Sequence, residues 1–495
     1  MGKGLLSCKT QDLAKTNTEA TGRHKHAEAI GWNMRGNNIK VEPSHSVTQG
    51  AVILKKCSEP LAISIVEQAS WFPSFMGTIF TNWFLSLSTG IAGRGKPLPH
   101  RSLTRTFLGC MLLVPCLPHA GAQLTDNERK ASVGDAPVDP GPLAASLSSQ
   151  LTSAEIREAM RKVADWQTAR IADTPSQDWT FATLYAGMLA ASHTLGDTRY
   201  HDVVLSVAEH YQWRLGPRQT HADDQAIGQA YLELFRENPD PARIAPLREQ
   251  FDAVMLLPDS PAKPVWWWCD ALFMAPPVWA GLASATKDSK YLAFMDHQWH
   301  ITSDLLWDPK ERFFSRDAAY LTRHEKNGRK LFWSRGNGWV MGGLVGVLKQ
   351  MPVDDPHRPF YVKRLQEMAE AVAAIQGGDG LWRAGMLDPA SYPNPEVSGS
   401  AFFVYALAWG MQHGILDHAR YMPVVQRGWS GILQHIYADG RLGDIQPVGE
   451  APGNYTPGSS YVFGVGAFLL AGSELDSMAS IPPHKSRSGA KAGQP

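Results

Sequence analysis

The chain has 495 residues, too many for one small core, and its 44% hydrophobic and 19% charged residues are typical of a globular protein. The formal net charge at pH 7 is +0 and no basic stripe is present, which excludes nucleic acid and anionic membranes as principal partners. The 17 tryptophans suit a carbohydrate-binding protein, but tryptophan is also good core material. Tryptophan content alone therefore does not decide the class of ligand.

The first hundred residues differ from the rest of the chain. Residues 1–93 show no sustained helical or strand period and mix polar residues with short apolar patches. The patch over 71–93 approaches the length of a membrane span, but its Pro, Asn, Ser and Thr residues disfavour one. We therefore expect no stable membrane insertion of the mature chain.

A secretory signal peptide is predicted over residues 101–122. Arg101 and Arg105 precede an apolar run, and small residues follow it. This order predicts cleavage before Gln123 and export to the periplasm or the exterior. Because an export signal belongs at an N-terminus, we expect the natural start near residue 100. Residues 1–100 are then either outside the natural protein or a disordered extension of it.

The cysteine positions fit export without disulfides. Four of the five cysteines precede the predicted cleavage site, which leaves Cys269 alone in the mature chain. A single thiol cannot form an intramolecular disulfide or a cysteine-based zinc site. After cleavage we predict an N-terminal linker over 123–150, a barrel over 151–475 and a disordered tail over 476–495, which is rich in Ser, Gly, Pro and Lys.

Between residues 151 and 475 the chain alternates between amphipathic and apolar segments, which predicts an all-α fold. The apolar segments combine Gly and Ala with large side chains, as buried helices do; they span 184–192, 226–235, 271–285, 338–348, 398–411 and 461–472. The amphipathic segments that precede them span 155–167, 201–213, 243–255, 290–306, 360–375 and 422–433. Six such helical hairpins predict an (α/α)6 barrel with the apolar helices inside. An open α-solenoid is the alternative, but its repeats would be more regular in length.

In such a barrel the N-terminal ends of the inner helices meet at one mouth, where we expect Asp270. Trp266, Trp267 and Trp268 precede this carboxylate in the stretch WWWCD. An ionised carboxylate among apolar side chains is unfavourable because it loses its hydration, unless it is hydrogen-bonded or takes part in chemistry. Asp270 is therefore either a helix N-cap or a catalytic group. The tryptophans favour catalysis. The prolines at 276–277 predict that the helix kinks there or begins at them.

Further candidates lie at the starts of two other inner helices. One of Asp223 and Asp224 is predicted to cap a helix while the other faces the cleft, and the sequence leaves open which. His221 is predicted to bond substrate or to cap, rather than bind metal, because no second histidine lies at helical spacing. Arg335 and Trp339, in FWSRGNGWV, suit recognition of a carboxylate or a stacked sugar. The alternative for Arg335 is to hold a loop by its carbonyl groups.

Four motifs, in this order, resemble the unsaturated rhamnogalacturonyl hydrolases of glycoside hydrolase family 105, which are relatives of the unsaturated glucuronyl hydrolases of family 88. The motifs are HADDQAIGQAYLELF, WWWCDALFMAPPVWAGLA, FWSRGNGWV and SYPNPEVSGSAFF. The resemblance covers about residues 155–475 and implies an (α/α)6 barrel. It also implies a substrate made by polysaccharide lyases, an oligosaccharide ending in a 4,5-unsaturated uronic acid. No metal or organic cofactor is implied.

The resemblance implies a role for each candidate residue. Asp270 matches the aspartate that protonates C4 of the C4=C5 double bond and, itself or through a neighbour, helps water add at C5. The ring then opens and the sugar chain leaves. Asp223 or Asp224 matches the second family aspartate. The residues predicted to contact the substrate are His221, Trp266, Trp268, Arg335 and Trp339.

Other functions remain open from the sequence. A conventional inverting glycoside hydrolase would use Asp224 and Asp270 as its carboxylate pair, and a sugar-binding barrel would use neither. A 2-epimerase-like isomerase would need paired histidines at the mouth, and the sequence offers none there. One family histidine also lacks a clear counterpart, since His324 stands in a different local context. The source polysaccharide is not readable from the sequence.

Overall fold

The computed structural model describes residues 134–171, 175–258, 260 and 264–480. The predicted signal peptide over 101–122, the preceding residues 1–100 and the chain beyond residue 480 lie outside the described residues. In chain order the α-helices of the described part are α1 (Ser153–Ile171), α2 (Trp179–Leu195), α3 (Thr198–His210), α4 (Ala222–Gln225), α5 (Gly228–Glu237), α6 (Pro241–Met255), α7 (Ala271–Met274), α8 (Pro276–Thr286), α9 (Ser289–Leu306), α10 (Ser334–Gln350), α11 (Arg358–Ala374), α12 (Val397–Gln412), α13 (His418–Leu433) and α14 (Val462–Ser480). Short antiparallel strand pairs join β1 (Gly134–Asp135) to β4 (Ser460–Tyr461) and β2 (Trp307–Asp308) to β3 (Phe313–Phe314).

Six helical hairpins form the (α/α)6 barrel, which confirms the predicted fold class. The outer helices are α1, α3, α6, α9, α11 and α13, and the inner ring consists of α2, α4 with α5, α7 with α8, α10, α12 and α14. An outer helix buries one face, as α9 does through Tyr291, Met295 and Trp299 at intervals of four. In the inner helix α12, by contrast, every residue from Val397 to Met411 is buried.

Glycine at two positions allows the inner ring to close. α14 packs against α2, so the last inner helix completes the ring that the first begins. A Cβ added to Gly466 would lie 2.3 Å from the carbonyl oxygen of Thr183, and one added to Gly187 would lie 2.5 Å from that of Gly466. Both distances are shorter than van der Waals contact, so any larger residue would push the two helices apart. The ring is closed, and the alternative of an open α-solenoid is wrong.

Two inner helices are interrupted near the mouth. Ala275 separates α7 from α8, which begins at Pro276 and Pro277, and the predicted effect of these prolines is confirmed. A second interruption separates α4 from α5. Each break leaves a four-residue helix at the N-terminal end of its pair, and these two short helices contact each other. The breaks therefore place Asp223, in α4, and Asp270, just before α7, close together.

The predicted linker over 123–150 is not a free linker in its described part. β1 pairs with β4, and Leu143 forms an antiparallel bridge with Tyr437, so residues 134–150 lie against the barrel. α1 begins directly afterwards, where the Thr152 hydroxyl accepts a hydrogen bond from the Glu155 N–H at 3.4 Å. This bond is one half of a capping box.

The predicted tail over 476–495 begins too early, because α14 continues to Ser480. Asp476 accepts two hydrogen bonds from Arg157 at 2.8 and 2.9 Å, and this ion pair holds the end of α14 against α1. Among the helices of the described residues, α14 alone is long and apolar enough to cross a membrane. It is, however, a mostly buried element of the inner ring.

Candidate active site

The carboxylate of Asp270 lies at the mouth of the barrel and does not cap a helix. Its side chain makes no hydrogen bond to the first N–H groups of α7, so the N-cap alternative is wrong. Oδ1 accepts a hydrogen bond from the Cys269 thiol at 3.8 Å, and Oδ2 lies 3.8 Å from Nε of Arg316. The carboxylate is therefore buried beside one positive charge and remains free to act on a substrate.

Burial sets the protonation chemistry of Asp270. The side chain is only 8% exposed. Burial raises the pKa of Asp270 to about 6, while the positive charges of Arg316 and Arg335 oppose this rise. A carboxyl group that titrates near neutral pH can donate a proton in one step and accept it back in the next.

The structure distinguishes the two neighbouring aspartates that the sequence left equivalent. Asp224 is held by Arg218, which donates through its backbone N–H at 2.7 Å and through Nε at 3.0 Å. The carboxylate of Asp224 thereby fixes the preceding loop, and its predicted catalytic role stays a prediction. Asp223 is the partner of Asp270: burial, followed by the negative charge of Asp270, raises the pKa of Asp223 to about 7.

His221 and Trp268 stand beside Asp223. Their ring centroids are 4.8 Å apart, and Nδ1 of His221 lies 3.6 Å from Oδ2 of Asp223. Burial, reinforced by the charge of Arg218, lowers the pKa of His221, so the imidazole is neutral at pH 7. Nδ1 is buried and has no hydrogen-bond partner in the described part of the chain. The role of both residues as substrate contacts stays a prediction.

Arg335 binds a loop rather than the mouth. Its Nη1 donates to the carbonyl of Gln446, and its Nη2 donates to the carbonyl of Pro447 at 2.7 Å. The guanidinium lies between Trp333 and Phe463, 4.5 and 4.8 Å from their ring centroids, and is 1% exposed. These bonds agree with the alternative, an arginine that holds a loop by its carbonyls, and the predicted substrate contact by Arg335 stays a prediction.

Trp339 lies beneath the mouth, within the aromatic core. Its ring centroid is 4.5 Å from that of Phe402 and 4.9 Å from that of Phe273, and only 1% of the residue is exposed. Trp179, at the start of α2, covers it edge-on at 5.9 Å. These rings enclose Trp339, and its predicted contact with substrate stays a prediction.

Only one of the three consecutive tryptophans presents a broad face to solvent. Trp266 is 0% exposed and packs edge-on against Phe294 with the ring centroids 6.4 Å apart, and its predicted substrate contact stays a prediction. Trp268, 4% exposed, forms a β-bridge with Asp317, whereas Trp267 between them is 44% exposed. The ring of Trp267 packs against that of Trp268, with the centroids 4.7 Å apart, and its remaining surface faces solvent. Trp267 is the available stacking surface.

Arg316 is the residue of the site that sequence reasoning missed. Its backbone carbonyl accepts a hydrogen bond from the N–H of Cys269 at 2.8 Å, which fixes the arginine next to the catalytic segment. Nη1 donates to Asp317 at 2.5 Å, and the guanidinium carbon lies 5.4 Å from the ring centroid of Trp267. The only sequence signal is an Arg-Asp pair in the insertion between α9 and α10, and such pairs are common.

A possible metal-ligand group exists far from these residues. Within the described ranges, the one group of three close ligand atoms comes from His193, Glu233 and Glu237, at the C-terminal ends of α2 and α5. His193 is bonded to Glu237 at 2.9 Å, and Glu233 is paired with Arg236. This group lies at the end of the barrel opposite to the mouth and takes no part in the candidate site.

The mouth of the (α/α)6 barrel thus holds two carboxyl groups, the buried Asp270 and the partly buried Asp223. Residues 152–479 match the family model of Glycosyl Hydrolase Family 88. The chain belongs to this family, and it is a glycoside hydrolase. The resemblance to the unsaturated uronyl hydrolases is thereby confirmed.

Three similar proteins cover the whole barrel. An unsaturated 3S-rhamnoglycuronyl hydrolase of Formosa agariphila is 38% identical over 344 residues, which are 66% of this chain and 91% of the relative. A protein of the same name from an Alteromonas species is 32% identical over 362 residues, 67% of this chain and 88% of the relative. The solved structure of a family 88 glycosyl hydrolase from Bacteroides vulgatus superposes with a TM-score of 0.62 and 32% identity, covering 65% of this chain and 98% of that one.

Proposed function

We propose that this enzyme removes a 4,5-unsaturated uronic acid from the non-reducing end of lyase-generated oligosaccharides. The observation that carries the proposal is the pair of the partly buried Asp223 and the buried Asp270, whose pKa values are raised to about 7 and about 6. Such a pair retains a proton near neutral pH, which an enol ether needs before it accepts water. The described residues of the mouth also supply a guanidinium for the acid group of the sugar.

The names of the two similar hydrolases refine the substrate. Both are unsaturated 3S-rhamnoglycuronyl hydrolases, and each aligns over most of its own length. Their names support an oligosaccharide of the rhamnoglycuronyl type as the substrate of this chain. Such substrates form where a lyase cuts the polymer, so the signal peptide predicted over 101–122 supports an exported enzyme.

The reaction proceeds in two proton transfers. The protonated member of the carboxyl pair donates its proton to C4, and positive charge develops at C5 and the ring oxygen. Water then adds to C5 while an ionised carboxylate accepts its proton, which restores the starting protonation of the pair. The product is a hemiketal at C5. Its ring opens to a C5 ketone, and the C1 hemiacetal so formed expels the remaining sugar chain as an alcohol.

The two carboxyl groups act as one titrating unit. Because ionisation of Asp270 disfavours ionisation of Asp223, the pair loses its two protons in separate steps. Between those steps one group is the acid and the other is the base. By their pKa values, about 7 for Asp223 and about 6 for Asp270, the proton that the pair retains is held mainly by Asp223. The family resemblance assigns the acid role to Asp270, which donates from its protonated fraction, and we infer that Asp223 assists the water.

The test is the near-ultraviolet absorbance of an unsaturated rhamnoglycuronyl oligosaccharide, because the C4=C5 double bond absorbs and the ring-opened product does not. We expect the wild type to remove this absorbance and Asp270→Asn and Asp223→Asn to slow its loss by about 10²–10⁴-fold. Asp202→Asn, at an exposed carboxylate on α3, is the control that keeps full activity.

Two outcomes would count against the proposal. If the wild type releases saturated sugars and leaves the absorbance unchanged, the enzyme is a conventional inverting hydrolase. If Asp270→Asn turns over like the wild type, the carboxyl pair does not carry the reaction. In the second case the two raised pKa values would be only a consequence of burial.

A further inference from the structure

The guanidinium of Arg316 has donor capacity that the described protein does not use. Nε is buried and has no hydrogen-bond partner, and Nη2 lies 4.0 Å from Oε1 of Glu450, beyond hydrogen-bond distance. Only the bond from Nη1 to Asp317 is fully formed. A buried guanidinium edge without acceptors is an unfavourable arrangement unless another group completes it.

The position of Arg316 matches the chemistry of the proposed substrate. In a 4,5-unsaturated uronic acid the carboxylate is attached to C5, so it lies within two bonds of C4, the atom that receives the proton. A group that binds this carboxylate must therefore stand beside the acid. Nε of Arg316 lies 3.8 Å from Oδ2 of Asp270, and the half-exposed ring of Trp267 borders the same guanidinium.

We propose that Arg316 binds the carboxylate of the unsaturated uronic acid, with Trp267 beneath the sugar ring, and that Glu450 occupies this position in the free enzyme. The proposal rests on the proposed function and names the residues that select an acidic terminal sugar. Arginine suits the task because its planar fork binds a carboxylate through two donors. In Arg335, which the sequence favoured for this role, Nη1 and Nη2 are bonded to the carbonyls of Gln446 and Pro447 and only the buried Nε has no partner among the described residues, so the fork of Arg335 does not offer two free donors to a carboxylate.

The loop that carries Glu450 allows this exchange. Its base is fixed, because Arg335 holds the carbonyls of Gln446 and Pro447, and Gln446 Nε2 donates to the carbonyl of Ala451 at 2.7 Å. The Glu450 side chain is 67% exposed and stands 4.0 Å from Arg316. An ion pair this long and exposed stabilises little, so an incoming carboxylate can replace it without disturbing the base of the loop.

The experiment measures binding, so that it does not depend on turnover. An unsaturated uronyl disaccharide and its methyl ester are titrated calorimetrically into Asp270→Asn protein, with and without Arg316→Gln. With Arg316 present, the acid should bind about 30-fold more tightly than the ester, as expected for a charge pair in a partly buried site. Without Arg316, acid and ester should bind alike. An acid preference that persists in Arg316→Gln would overturn the proposal.

Two further variants test the remaining residues and guard against misfolding. Arg316→Lys keeps the charge and should retain part of the acid preference, provided that its circular dichroism matches that of the parent. Glu450→Gln should strengthen acid binding about two- to five-fold and leave ester binding unchanged. The exposed carboxylate variant Asp202→Asn is the control for overall charge. If Glu450→Gln weakens acid binding, Glu450 does not occupy the carboxylate position.

The proposed function and this inference fail separately. If the wild type never lowers the absorbance of an unsaturated oligosaccharide but acid binding still depends on Arg316, the proposed reaction is wrong. The assignment of Arg316 as the carboxylate-binding residue is then still correct. If the wild type is active but acid and ester bind equally in the presence of Arg316, the proposed reaction is correct. The assignment of Arg316 as the carboxylate-binding residue is then wrong.

Discussion

Replacement of Asp270 by Asn should abolish activity and at the same time stabilise the protein at neutral pH. The side chain of Asp270 is buried, and its pKa is raised from 3.8 to about 6. Its ionised form is therefore less favourable in the folded enzyme than in the unfolded chain. Asparagine has nearly the same shape and no charge, so the variant removes this unfavourable ionisation together with the catalytic proton.

The pKa difference fixes the size and the pH range of the effect. Below pH 3.8 the carboxyl is protonated in both states, and its burial carries no ionisation cost. As the pH rises from 3.8 to the folded-state pKa of about 6, the unfolded chain loses its proton before the folded enzyme does, so the free energy of unfolding falls over this range and levels off above it. A rise of roughly two pKa units corresponds to about 3 kcal/mol above pH 6. Asp270→Asn should recover most of this amount at pH 8 and almost none at pH 4.

The assay is thermal or urea unfolding of wild type, Asp270→Asn and the control Asp202→Asn at pH 4, 6 and 8. We expect the melting temperature of Asp270→Asn to exceed that of the wild type by a few degrees at pH 8. The difference should shrink as the pH falls. A variant that is less stable than the wild type at pH 8, or a gain that does not change with pH, would refute the assigned burial penalty.

Three other substitutions test parts of the fold and site. Arg335→Met should raise KM severalfold and lower stability by about 3 kcal/mol, because it leaves the carbonyls of Gln446 and Pro447 without donors; unchanged kinetics would contradict the loop-holding role. Gly466→Ala should lower the free energy of unfolding in urea by about 1–3 kcal/mol, because its methyl group would meet the Thr183 carbonyl. The control Gly378→Ala has open space around its Cβ and should leave the free energy of unfolding unchanged. Trp266→Ala should lower the free energy of unfolding by about 3–5 kcal/mol, whereas Trp267→Ala should leave it almost unchanged and raise KM. The reverse pattern would show that the burial of Trp266 and the exposure of Trp267 are assigned wrongly.

The barrel was predictable because its inner helices carry a local signal. Helices buried on all sides must be apolar all round, and close backbone packing requires glycine and alanine, as Gly187 and Gly466 show. The prolines at 276–277 likewise act locally, by removing backbone donors. These constraints apply to each helix separately, so the sequence of one segment is enough to reveal them.

The site was less predictable because its contacts join distant segments. Asp223 and Asp224 are adjacent and chemically equal, and only the approach of Arg218 assigns one of them to structure. Arg316 reaches Asp270 through the insertion between α9 and α10, whose path the sequence does not specify. Arg335 has the neighbours expected of a substrate-binding arginine, but the loop carbonyls that occupy it lie more than a hundred residues away.

Ring closure between α2 and α14 also constrains the order in which the chain can fold. The faces of α1 and α2 that receive α14 stay uncovered until the residues up to Ser480 have been synthesised, since that helix is the last element of the barrel. Contacts between such distant segments form late, because closing a long loop costs chain entropy before the packing compensates for it. A nascent chain of this topology therefore remains open for most of its synthesis.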